Sequence, residues 1–242
     1  MPDGTLQSVA LYDDAPYQQH FSSTVLTSGE HGVALAATLF YPTGGGQPGD
    51  SGYLVLPDGV QVRVTGTVRD AEQRGIIWHQ IEGDAAQFVP GMAVDGQLDW
   101  QRRYQHMKMH TCLHLLCAVL PAPVTGCNIG DEKGRVDFDL PEMTLDKESI
   151  SAALNALIVA AHEVKTRAIP GEDYAQALKI TRSQDVAPPV FNGAVRVVEV
   201  VGVESQPCGG THVNNTSEIG QVVVDKIEKK SKHNRRVSLR FV

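Results

Sequence analysis

Along the first hundred residues the apolar positions fall in short, closely spaced runs. VALAATLFYP, GYLVLP, VQVRVTGTV and GIIWHQIEG are rich in β-branched and aromatic residues, with Gly, Pro, Asp and Asn between them. Such runs predict strands. In PDG at 57–59, Gly59 supplies the positive φ of a tight turn. A small barrel closes a set of this kind. Near Asp99 the period changes. WQRRYQHMKMHTCLHLLCAVL puts Leu113, Leu116, Cys117 and Leu120 at helical spacing, and Pro121 stops the run, which predicts one helix of about 20 residues. RVDFDL (135–140) follows as a strand. From 145 to 167 a second amphipathic helix is predicted, with Ile150, Leu154, Leu157, Ile158 and Ala161 as its apolar stripe and Asp146 placed to cap it. A short third helix is predicted over 171–178. AVRVVEVVG, EIGQVVVDKIEK and RRVSLRFV then read as strands. The fold class is α+β: an N-terminal small β-barrel over 1–97, then a two-layer domain over 98–242 with helices packed on an antiparallel sheet.

Composition narrows the class. Of 242 residues, 42% are hydrophobic and 20% charged, the balance of a soluble globular protein. No apolar run is long enough to span a bilayer. The N-terminal stretch has no basic start followed by an apolar segment, so no secretory signal is read, and a cytoplasmic location is the expectation. Cys112, Cys117, Cys127 and Cys208 form no Cys-x-x-Cys pair, and are expected as thiols, buried or metal-bound. The net charge is −7, unevenly spread. Lys226, Lys229, Lys230, Lys232, Arg235, Arg236 and Arg240 are opposed only by Glu228 in the same stretch, so that stretch carries +6 and the rest −13. A basic patch on an acidic protein fits a confined contact with a phosphate backbone, or simply a solvated strand or turn.

Two spaced pairs carry candidate chemistry. His110 and His114, in HTCLH, share one face of the predicted helix, one turn apart. Cys208 and His212, in PCGGTHV, are also four apart, joined through Gly209 and Gly210, whose missing side chains let a backbone turn tightly. Three imidazoles and one thiolate favour Zn²⁺. Spacing alone does not choose the pair, because His106 lies one turn before His110. A helix-borne zinc protease needs Glu directly after the first His; here that residue is Thr111, so peptide hydrolysis of that kind is set aside.

HTCLHLL taken with CGGTHV resembles the editing domain of alanyl-tRNA synthetases and of their free-standing relatives, the AlaX-type editing proteins. FYPTGGGQPGDSGYL (40–54) looks like the family's glycine-rich motif, RVDFDL like the segment after the zinc-binding helix, and CGGTHVNNTSEIG (208–220) like the motif shared with threonyl-tRNA synthetase editing regions. The motifs stand in family order from Phe40 to Arg240. The resemblance implies an aminoacyl-tRNA deacylase that removes a wrong amino acid, serine first and glycine second, from alanine tRNA. It implies one Zn²⁺ per chain on His110, His114, Cys208 and His212. It makes Thr43 the sensor of the serine hydroxyl and places Thr111 at the pocket. Gly44, Gly45, Gly46, Gln47 and Asp50 would lie near the aminoacylated end of the tRNA, with Lys229, Lys230, Arg235 and Arg236 on its backbone. Where the family often has Gln after the zinc helix, this chain reads TGCNIG, with Cys127 or Asn128 in that place. The length leaves no room for an aminoacylation domain beside an editing domain. The partner expected is mischarged alanine tRNA, not a membrane; the oligomeric state is open, with a monomer preferred. Two other readings stand beside this one: a zinc-stabilised tRNA-binding module without catalysis, and a zinc hydrolase of small esters.

Overall fold

The computed structural model describes residues 6–140, 145–183, 187–191 and 193–242. The chain divides into two units, residues 1–44 with 48–103, and residues 45–47 with 104–242.

The first unit is built on β1 (Val9–Ala10), β2 (His20–Gly29), β3 (Gly32–Leu35), β4 (Ala37–Thr38), β5 (Gly52–Val55), β6 (Gln61–Arg69), β7 (Ile77–Ile81) and β8 (Ala93–Leu98). Six of these close a barrel in the order β2-β3-β7-β6-β5-β8, every pair antiparallel. Closure leaves no open edge to aggregate. β1 and β4 form a small parallel pair apart from it. Phe21, Val25, Val33, Leu35, Leu54, Val62, Val64 and Val94 fill the interior with Phe40 and Phe88. On β6 the alternation puts Val62 and Val64 inside; a register shift between Val64 and Gly66 then turns Thr67 inward. Gly59 takes φ 88° in the turn joining β5 to β6, as its place in PDG requires. Two polar groups anchor the interior. Buried Arg103 pairs with buried Asp50 and donates to the carbonyls of Leu39 and Pro16. His79, fully buried, lies between the Thr38 hydroxyl and the Val33 carbonyl.

The second unit contains most of α1 (Trp100–Val119), whose first four residues count with the barrel unit. It continues with β9 (Val124–Ile129), β10 (Lys133–Asp139), α2 (Lys147–Val159), β11 (Val164–Pro170), α3 (Tyr174–Lys179), β12 (Ala194–Val200), β13 (Glu204–Pro207), β14 (Val222–Lys229) and β15 (Asn234–Phe241). The strands make two antiparallel sheets where one was expected: β14-β15-β10-β9 and β11-β12-β13. α2 covers the edge strand β14 with polar groups as well as apolar ones. Asn155 both donates to the Val222 carbonyl and accepts from its N–H, and the Ser151 hydroxyl accepts from Val224 N–H. α3 packs Ala177 against Ile169, Val195 and Val197. Residues 109–117 of α1 are buried on every side, so its polar side chains there need partners inside the protein. Among the described residues, no helix is long and apolar enough to cross a membrane.

Three expectations change. The second helix stops at Val159, not Arg167, and 164–170 is a strand. Ala161 takes φ 57° and reverses the chain with no glycine to announce it. The segment EIGQVVVDKIEK opens as a 3₁₀ turn, Thr216–Ile219, and becomes strand only at Val222, because Asn215 and Glu218 form a capping box there. In VALAATLFYP the strands end at Thr38; Phe40 and Tyr41 are buried outside the barrel ladder.

Candidate metal centre

His110 and His114 point from α1 toward the turn that follows β13. Cys208 and His212 come from that turn. The ligand atoms of these four residues all lie within 4.8 Å of one another. Cys208 Sγ is 3.4 Å from His110 Nε2 and 3.4 Å from His212 Nε2. Donors around one tetrahedral metal at its usual bond lengths stand roughly 3.3–3.8 Å apart, and those two separations fall in that range. The structure therefore brings together both spaced pairs of the sequence, and selects His110 over His106, whose Nε2 faces Asp131 at 2.5 Å.

The outer partners fix where the imidazole protons sit. His114 Nδ1 faces Glu204 Oε2 at 3.2 Å, and a carboxylate only accepts, so the proton is on Nδ1. His110 Nδ1 lies 2.9 Å from Gln47 Oε1. That atom is the oxygen, since it also accepts from Thr211 N–H at 3.1 Å, while Gln47 Nε2 donates to the Thr211 hydroxyl. The Thr111 hydroxyl spends its one hydrogen on the Met107 carbonyl and accepts from Val213 N–H, so it accepts from His212 Nδ1 as well. In all three rings the outer acceptor thus holds a proton on Nδ1 and leaves Nε2 facing the cluster, the nitrogen a metal would take. Each is oriented by a different acceptor: amide, carboxylate and hydroxyl.

Electrostatics agree with the geometry. Burial would raise the Cys208 thiol, but the imidazoles of His110 and His212 outweigh it and hold the thiol well below its usual range. Burial and the neighbouring His110 push His212 well down. At His114 burial also pulls down, yet Glu204 and Cys208 win and lift it to about 10. Two anions around buried imidazoles make this a place that favours a cation. The four-residue His/Cys cluster is suited to one metal ion.

The turn carrying Cys208 and His212 is held from β12. Arg196 donates to the carbonyls of Cys208 and Gly210, both at 2.8 Å, and Gly210 N–H points to the Cys208 sulfur. The glycine pair works by room, not by unusual torsion: neither Gly209 nor Gly210 has positive φ. A Cβ on Gly210 would collide with the His110 ring and come within 2.8 Å of Gln47 Oε1.

The other candidate residues divide between the two units. Thr111 and Gln47 are fully buried beside the cluster, in the contacts just given. Gly45 and Gly46 belong to the same unit; Gly46 O accepts from Ile129 N–H, and Cys127 Sγ donates to Gly45 O at 3.3 Å. Thr43, Gly44 and Asp50 belong to the barrel unit. The Thr43 hydroxyl accepts from Gly49 N–H at 2.9 Å and lies 3.3 Å from the Thr67 carbonyl, Gly44 O accepts from Tyr41 OH, and Asp50 is buried against Arg103 and Tyr41 N–H. Lys229 and Lys230 are exposed at the β14–β15 turn, Arg235 donates to turn carbonyls, and Arg236 makes a two-pronged pair with Asp137. Sequence reasoning passed over Glu204 and Arg196. Glu204 is buried at the start of the short polar strand β13, and Arg196 is half-buried among the apolar residues of β12.

Known proteins match along the same lines. Residues 195–238 match the family described as the threonyl and alanyl tRNA synthetase second additional domain, and residues 6–102 match the class II (A) tRNA synthetases. An alanyl-tRNA editing protein AlaX-M of Methanosarcina barkeri is 36% identical over 96% of this chain and 98% of its own length. That of Saccharolobus solfataricus is 34% identical over 94% of this chain and 96% of its own. The alanine–tRNA ligase of Methanococcus maripaludis is 32% identical over 90% of this chain but only 24% of the ligase. With a third of its residues shared along nearly the full length of such relatives, and with the His/Cys cluster assembled, the chain belongs to the AlaX-M family of alanyl-tRNA editing proteins.

Proposed function

We propose that this protein is an aminoacyl-tRNA deacylase that hydrolyses mischarged alanine tRNA, with seryl-tRNA as its main substrate and glycyl-tRNA as the second, in the cytoplasm. The observation that carries the metal-dependent part is the inward convergence of three Nε2 atoms and one thiolate. His110, His114, Cys208 and His212 would hold one Zn²⁺. Bound there, zinc supplies a Lewis acid that polarises an oxygen or a template that orients the aminoacyl end. The reaction is ester hydrolysis: the bond from the acyl carbon to the ribose oxygen breaks, and water gives hydroxyl to the amino acid and a proton to the ribose. Residues 1–97 form the barrel domain in this reading and 98–242 the editing domain.

Discrimination has to favour serine over alanine, which differs by one hydroxyl. A site that pairs with that hydroxyl leaves a polar group unsatisfied when alanine enters, at a cost of roughly 1–3 kcal/mol. That spares alanyl-tRNA by about one to two decades. We assign that pairing to Thr43, whose hydroxyl has two backbone neighbours, Gly49 N–H and the Thr67 carbonyl, that orient it. A second reading, a tRNA-binding module without catalysis, is favoured by one observation: four protein donors fill a tetrahedral site, as in structural zinc.

Alanine tRNA charged separately with serine, glycine and alanine distinguishes the two. Purified protein with its metal bound should release serine fast and alanine slowly, and a chelator should abolish release. If none of the three esters is lost faster than in buffer, the binding module is the correct reading.

A further inference from the structure

Gln47 was expected at the tRNA end, yet it is wholly buried, and its amide bonds on two sides at once. We propose that Gln47 is a positioning residue of the metal centre, a brace that sets the spacing between the helix-borne ligand pair and the turn-borne pair. The inference rests on reading the His/Cys cluster as a metal site. On one side Gln47 Oε1 accepts from His110 Nδ1–H and so holds that ring's Nε2 inward. On the other, the same oxygen accepts from Thr211 N–H while Nε2 donates to the Thr211 hydroxyl. Thr211 directly precedes His212. One amide therefore ties a ligand of the first pair to the neighbour of a ligand in the second. Glu204 orients His114, and Thr111, on α1, orients His212 and also accepts from Val213 N–H; Gln47 is the acceptor that reaches both His110 and Thr211.

The residues before it are shaped to deliver it. Gly46 has φ 81°, and a Cβ there would come within 2.5 Å of Cys127 Sγ and 2.9 Å of Cys127 O. With Ile129 N–H donating to Gly46 O at 2.8 Å and Cys127 Sγ donating to Gly45 O, the backbone runs along β9, and at Gly46 it lies too close for a side chain. These contacts give part of the glycine-rich motif a task inside the protein: it brings backbone against β9 so that Gln47 reaches the cluster.

The test compares Gln47→Met, which keeps the volume and loses the amide, with Gln47→Glu, whose carboxylate can accept from both N–H groups while the Thr211 hydroxyl rotates to donate. Zinc affinity is read by competition with a chromophoric chelator, and geometry by the visible absorption of the Co²⁺ form. Circular dichroism of the metal-free proteins checks that each variant is folded. Gln47→Met should bind zinc about 10- to 100-fold more weakly, the usual cost of losing an outer partner, with a changed cobalt spectrum, and Gln47→Glu should stay within a few-fold of the parent. Unchanged affinity and spectrum in Gln47→Met overturn the proposal, even if deacylation is lost, since Gln47 would then serve substrate. Equal weakening in both variants overturns it too, because the acceptor would not be what matters. A parent protein that binds neither ion overturns the metal reading itself, and the brace with it.

Discussion

Thr111 stands between two histidines of the His/Cys cluster, and its hydroxyl is saturated: it donates to Met107 O and accepts from His212 Nδ1–H and Val213 N–H. Thr111→Val keeps the shape and leaves two buried donors without that acceptor. Each such orphan costs roughly 1–3 kcal/mol. The denaturant midpoint of the metal-free protein should therefore fall, while Thr111→Ser, with the hydroxyl in place, should recover most of the loss. His79 poses a different residue-scale question. Burial pushes it down to about 4, against the Val33 carbonyl, which favours the charged form. Unfolded, it titrates near its ordinary value of 6.5. Between those values the unfolded chain holds the extra proton, so stability is complete above pH 6.5 and falls as the pH drops toward 4. From pH 6.5 to pH 5 the loss is on the order of 2 kcal/mol. Thermal melts at pH 7 and pH 5 should differ less in His79→Gln than in the parent; equal differences would remove His79 as the source.

At the scale of elements, α2 shows how much of the fold the sequence disclosed and why the rest was hidden. Its start was legible because Asp146 accepts from Ser149 N–H, the bond its position foretold. Its end was not, because the chain reverses at Ala161 with φ 57°, a place where helices usually carry glycine. With no glycine to stop it, the helix is read on to Arg167, whereas Val164 is buried at the start of β11. Ala161→Gly should consequently stabilise the protein. Relief of the left-handed strain is about 1 kcal/mol, partly offset by the greater freedom of glycine in the unfolded chain. A lower denaturant midpoint would contradict this. The barrel was legible from β3, β5, β6 and β7, which fall in runs rich in branched and aromatic residues. β2 and β8 were missed, since HFSSTVLTSG and AVDGQL have too few apolar positions to stand out. The metal cluster was readable from its two four-residue spacings. Its outer partners were not, because Glu204 and Gln47 reach their histidines from distant stretches of chain, and only the packed fold shows that each is an acceptor.

For the whole molecule, the question is how a chain of net charge −7 meets a polyanion. The basic run forms the hairpin of β14 and β15, and residues from outside the run answer part of its charge. Burial alone would raise Asp137, but Arg236 and Arg135 more than offset this and hold its carboxyl below the usual range. Arg240 lies 3.7 Å from Asp225, and Lys226 and Lys230 share Glu228. Arg236 is thus committed to the sheet, whereas Lys229 is exposed at the turn and the exposed Lys230 pair is weak enough to yield to a phosphate. Counting charges along the sequence overstated what this hairpin can offer. If it is the tRNA surface, replacing both Lys229 and Lys230 by Ala should raise KM for charged tRNA and flatten its dependence on salt. The logarithmic slope should shrink by about 0.7–0.9 for each phosphate no longer neutralised, with stability unchanged within roughly 0.5 kcal/mol. Arg236→Ala should act the other way round, lowering stability through the partly buried Asp137 and moving the salt slope little. A double lysine variant with the parent's KM and slope would place the tRNA on another face, and an Arg236 variant with the larger salt effect would mean that the ion pair opens to receive it.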